Sequence, residues 1–164
     1  MNTHCVIGIG CDDHGDQVAG LLVARRVAAI GPAAITVVES CGAPGELIAA
    51  WSTAHEATIV EAMPGAVPGD VARCQPHPRP VAFGCSPTRL SPELREALAS
   101  GPLPERLTVI TIAAQRFSRS AGVGPEVAAA ARQVADQIIV DLTDDLQLNA
   151  MLEEPPAARL AAGV

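Results

Sequence analysis

Lysine and tyrosine are absent from this chain and aromatic side chains nearly so, with one Trp and two Phe in 164 residues. All eleven basic residues are therefore arginines. Schiff-base chemistry, a lysine base and a phenolic acid are excluded outright. A core must instead be assembled from Ala, Val, Ile and Leu, small aliphatic side chains that suit close packing of helices on a sheet. No apolar run approaches the roughly 18 residues needed to span a bilayer, and the opening residues lack the basic flank of a signal peptide, so a cytoplasmic protein is expected. The net charge of -7, without a clustered basic stretch, argues against nucleic acid or an anionic membrane as partner. Five cysteines, an odd number without a Cys-x-x-Cys pair, do not suggest a disulfide framework.

What is present alternates between apolar runs with strand character and amphipathic helical segments. Residues 3–9 read as a buried strand and 16–30 as a helix, with Asp16 placed to cap its free N–H groups. A second strand covers 34–39, a helical face follows with Leu47, Ile48 and Trp51, and a third strand covers 57–62. A Pro/Gly stretch from Met63 to Pro80 holds an edge strand near Val71, and 81–84 read as a further short strand. Ser91-Pro92-Glu93 has the chemistry of a helix start: a hydroxyl cap, Pro at the first position and an acid near the positive end of the dipole. Residues 107–112 form the clearest strand, and Gly124-Pro125-Glu126 opens the last long helix. This order predicts a three-layer α/β/α sandwich with a mostly parallel, about five-stranded sheet. One domain is expected over 1–142, with 143–164 as a C-terminal appendage.

The chemistry concentrates after the first strand, in Gly8-Ile9-Gly10-Cys11-Asp12-Asp13-His14-Gly15-Asp16-Gln17. Asp13 stands where a dinucleotide fingerprint needs its third glycine, and a Walker loop needs the missing lysine, so phosphate binding is disfavoured. A cation suits the loop better, since Asp12, Asp13 and Asp16 offer hard oxygens and His14 a borderline nitrogen. The alternative is that Asp16 caps a helix while Asp12 and Asp13 are solvated turn residues. Glu61, ending the third strand, is placed to face the same edge of a parallel sheet. Cys74 and His77 have the spacing of half a zinc site, and Cys41 and Cys85 follow strand-like segments as candidate thiol nucleophiles. Ser40, Ser86 and Ser118 lack the Gly-x-Ser-x-Gly elbow of a serine hydrolase.

Four segments in register resemble a known family. GIGCDDHGDQVAG is similar to the Gly-x-Gly-Asn loop and following helix start of the hydrogenase maturation endopeptidases, and SCGAPGELI to their Asp-Gly-Gly-Thr-x-Gly segment. ATIVEAMPGAVPGDV resembles their strand ending in Asp-Ala before a Pro-Gly turn, and FSRSAGVGPEVAAAA their late Gly-x-Gly-Leu-Ser-Pro-Glu-Val run. The resemblance spans Val6 to Val140 and implies an endopeptidase that trims the C-terminal extension of the nickel–iron hydrogenase large-subunit precursor after nickel insertion. Nickel, carried by the substrate, is then the recognition mark. The family's metal-recognising Glu, Asp and His fall at Gln17, Glu61 and Thr88 here, so an amide and a hydroxyl replace two of the three ligands. Glu61, with Asp16 or Asp13 nearby, is the expected catalytic group, orienting the bound centre or polarising a water. The departures at the ligand positions leave open a catalytically inactive relative serving as an assembly or docking factor. Fold analogy alone also leaves a hydrolase of another substrate.

Overall fold

A computed structural model describes residues 3–76 and 90–153. The strand expected over 81–84 lies outside them, as do Thr88, His77, Cys85 and Ser86. Five strands form one sheet in the order β2-β1-β3-β5-β4, where β1 is His4–Ile9, β2 Thr36–Ser40, β3 Glu56–Pro64, β4 Val71–Cys74 and β5 Arg106–Ala114. The β1–β2, β1–β3 and β3–β5 pairs are parallel, and the edge strand β4 runs antiparallel to β5. Helices α1 (Ala19–Ile30), α2 (Pro44–Trp51), α3 (Pro92–Ser100) and α4 (Pro125–Glu153) complete the α/β/α sandwich.

The near-continuous apolar character of β1, β3 and β5 follows from burial on both faces. On one face Val6, Val60, Ile110 and Ile112 pack against Val23 and Val27 of α1 and Val127, Val134 and Ile138 of α4. On the other, Ile7, Ile59 and Val109 pack against Leu47 and Trp51 of α2 and Leu94 and Ala97 of α3. Where α1 crosses β1 the backbones touch: a Cβ on Gly20 would lie 2.2 Å from the Ile9 carbonyl oxygen. Only glycine permits that approach. Ser91 caps α3 as its sequence predicts, accepting a hydrogen bond from the Leu94 N–H at 3.3 Å. Helix α4 continues unbroken through the expected boundary at 142, because Leu142 still packs against the core, and its later apolar residues Leu148, Met151 and Leu152 are exposed.

The single tryptophan anchors the second core. Trp51 is buried, and its Nε1–H donates to the Pro102 carbonyl at 2.8 Å. Replacing it with Phe leaves that carbonyl unpaired and part of the site empty, so Trp51→Phe is expected to lower stability by about 2 kcal/mol. Urea denaturation followed by far-UV circular dichroism checks this, and a midpoint matching the parent would show that the indole anchor contributes nothing. Among the described residues no helix is long and apolar enough to cross a membrane.

Candidate functional site

The chain leaves β1 to one side, through α1 to β2, and returns to the other side as β3. The carboxyl ends of β1 and β3 thus flank the point where strand order reverses, which is where open α/β sheets bind ligands. Loop 10–15 and Glu61 both lie there. Gly8 pairs with Val60, so the next step of the register sets Ile9 beside Glu61.

Glu61 is buried within β3, on the face covered by α2 and α3. One carboxyl oxygen accepts the Ser91 N–H at 3.0 Å, at the start of α3. Burial pushes the Glu61 carboxyl above its ordinary range, and the hydrogen bonds from Ser91 offset this only in part. Its proton is correspondingly hard to remove.

Asp16 does something the sequence does not reveal. It lies in a single 3-10 turn, Gly15–Val18, ahead of α1, and makes no cap to that helix. Its carboxylate accepts three backbone N–H groups across the molecule: Gln115 at 3.1 Å and Arg116 at 2.9 Å through Oδ2, and Gly124 at 2.7 Å through Oδ1. Its own N–H donates to the Arg116 carbonyl at 2.7 Å. Burial alone would raise the Asp16 carboxyl, but the three N–H donors outweigh it and hold the group below the usual carboxylate range. Gly15 makes the close approach possible, with φ +58 and a position where a Cβ would sit 2.4 Å from the Arg116 oxygen. A carboxylate so committed fixes the loop and is poorly disposed to take a proton. Gln17 is half-buried in the same turn, which packs against β3.

The acids of the loop separate in function. Asp12 is drawn off by a bidentate pair with Arg25 at 2.7 and 2.9 Å, and Arg25 also holds Glu39. Asp13 instead meets Cys11 and His14. The hydrogen bond to Asp13 pushes the Cys11 thiol up, while Cys11 and His14 hold the Asp13 carboxyl down. Cys11 is missing from a cation set chosen by acids alone. A signal for it exists in the sequence, because Cys11-Asp12-Asp13-His14 has the same Cys-x-x-His spacing as Cys74 and His77. An acidic reading of the loop passes over it.

Cys41 is exposed, and its thiol donates to Glu46 Oε2 at 3.8 Å. Cys74 is in a disulfide, although the cysteine count does not suggest a disulfide framework, so its sulfur is not a thiolate available to a zinc ion. Beside the loop an open cleft of about 500 Å³ is bounded by Cys11, Asp13, Ser40, Cys41 and Glu46. A larger cavity, about 760 Å³, lies at the opposite edge, against His4, Glu56, Arg73, Arg106 and Asp141. There Arg106 pairs with Glu56 and Arg73 with Asp141.

This arrangement of strands, helices and crossovers has solved counterparts. The hydrogenase maturating endopeptidase HybD from E. coli superposes with TM-score 0.67 at 18% identity, over 87% of this chain and 93% of that one. The chain has the fold of the hydrogenase maturation endopeptidases. An endopeptidase from Escherichia coli known from its solution structure gives TM-score 0.68 at 20% identity, and the [NiFe] hydrogenase maturation protease HycI from Thermococcus kodakarensis KOD1 gives 0.61 at 16%. Both alignments cover 87% of this chain and 93% of the other. No protein-family model and no curated protein matches the sequence.

Proposed function

We propose that this chain acts in hydrogenase maturation as an endopeptidase, removing the C-terminal extension of a nickel–iron hydrogenase large-subunit precursor in the cytoplasm once nickel is in place. The observation that carries this reading is a buried carboxyl, Glu61, at the strand-order reversal of a fold it shares with such proteases. Nickel enters as part of the substrate. The side chains at the family's recognition positions fit a nickel ion poorly: Gln17 is neutral, and Glu61 is buried, which disfavours its charged form, and already accepts from Ser91. No step is therefore assigned to metal at Gln17 and Glu61, and Thr88 lies outside the described residues. Glu61 is assigned the role of hydrogen-bonding the docked precursor beside the scissile bond, and Asp16 that of a positioning residue that fixes the 10–17 loop.

The test is to mix the purified chain with the nickel-loaded precursor of its own host's hydrogenase and follow intact masses. Loss of one C-terminal peptide is the expected result. A stable complex without cleavage would instead support the assembly-factor reading, which the neutral Gln17 favours. Neither cleavage nor complex would overturn both.

A further inference from the structure

Cys11, Asp13 and His14 are the group of His, Cys, Asp or Glu side chains that converge closely enough to hold a metal ion among the described residues. The Cys11 sulfur lies 2.8 Å from Asp13 Oδ1 and 3.1 Å from His14 Nδ1, and that nitrogen is 2.7 Å from the same oxygen. We propose that these three side chains bind one divalent transition-metal ion, with zinc the best match, and present it to the cleft beside Cys41 and Glu46.

The donor set is the first argument. One thiolate, one imidazole and one carboxylate suit a borderline ion such as zinc or cobalt and do not suit magnesium or calcium. Geometry is the second. With metal–ligand bonds of about 2.0–2.3 Å in a tetrahedron, the donor atoms would stand about 3.4–3.6 Å apart. The three atoms need to spread by about 0.5–0.8 Å to reach that arrangement, a movement open to side chains on a solvent-facing loop. Binding breaks the Cys11 S–H bond, forms a metal–sulfur bond and releases the proton to solvent, with no change of oxidation state.

The backbone beneath the cluster is already fixed. The Asp13 carbonyl accepts the Ser120 N–H at 2.7 Å, the His14 carbonyl accepts the Gln17 N–H at 3.2 Å, and Asp16 ties the next turn to the β5–α4 connection. Neighbouring charges are held apart from the donors. Arg25 withdraws Asp12, and Arg119 approaches the other Asp13 oxygen, Oδ2, at 3.9 Å. Cys11 and Asp13 also border the open cleft, so a three-ligand site there keeps a coordination position for water or a docked group. These residues are distinct from Gln17, Glu61 and Thr88, and the proposal stands whether or not the chain is a protease.

Cobalt(II) titration of the purified full chain tests it directly, because thiolate-bound cobalt has a near-ultraviolet charge-transfer band and tetrahedral cobalt intense visible bands. One equivalent is expected to develop both, and zinc to displace it. Cys11→Ser should abolish the charge-transfer band and His14→Gln should keep it, each weakening zinc affinity by more than the roughly 10–100-fold that loss of a residue behind a ligand costs. Cys41→Ser should leave the titration unchanged. Absence of saturable binding in the parent chain would overturn the proposal. So would an unchanged band in Cys11→Ser with normal circular dichroism, or a band lost in Cys41→Ser instead.

Discussion

Asp16→Ala is expected to be the most destabilising substitution in the loop, at about 4 kcal/mol, a large part of the roughly 5–15 kcal/mol that holds a domain of this size together. Three backbone N–H groups, of Gln115, Arg116 and Gly124, lose a charged acceptor at once, and water reaches the buried Gly124 N–H poorly. Asp16→Asn keeps one acceptor oxygen and is expected to lose about half as much. The pH dependence separates this cause from simple loss of packing. The folded state holds the Asp16 carboxyl below its unfolded value, so its contribution is fully present above about pH 4 and is lost as pH falls through the folded value. Urea midpoints from pH 2 to pH 7 should show the gap between parent and Asp16→Asn closing at the acid end. A gap that stays constant, or an alanine variant within about 1 kcal/mol of the parent, would remove the anchor role.

Glu61 carries the opposite sign, and its substitution has the largest expected effect on activity. Glu61→Ala should abolish processing of the precursor, and it should also lower stability by about 2 kcal/mol by leaving the Ser91 N–H unpaired beside a void. Glu61→Gln keeps the shape and an acceptor for Ser91. Folding raises the Glu61 carboxyl, so the parent loses stability as pH climbs above the unfolded value of about 4.3 towards the folded one. The glutamine variant has no such loss. It should match the parent near pH 4 and exceed it at pH 7, read as urea midpoints in parallel series. Processing by the two variants divides the chemistry: if Glu61 works as a protonated donor, glutamine retains cleavage and alanine does not. Cleavage at the parent rate by Glu61→Ala would take Glu61 out of the mechanism.

Asp12 and Asp13 show how far adjacent, chemically equal residues can diverge. Both offer carboxylates in a loop that reads as a cation site, yet one is neutralised by Arg25 from α1 while the other meets a thiol and an imidazole. The Cys-x-x-His spacing that joins Cys11 to His14 is visible in the letters. That Asp13 rather than Asp12 completes the trio is not, because it depends on where the first turn of the loop points each side chain.

The sequence by itself determined the α/β class, the strands and helices of the described chain and the Ser91 cap of α3, and the edge strand at Val71 was legible as well. These features depend on neighbours two to four positions away, whose spacing the letters display directly. The tertiary structure decided the partners of the site. Asp16 reads locally as a helix cap, yet its acceptor oxygens serve residues 99 to 108 positions away. Glu61 reads as a strand-end group facing the edge that carries the first loop, yet α3 buries it against the Ser91 N–H. Sequence spacing records no trace of such contacts, because they arise only when the parallel crossovers bring the ends of β1, β3 and β5 to one edge of the sheet.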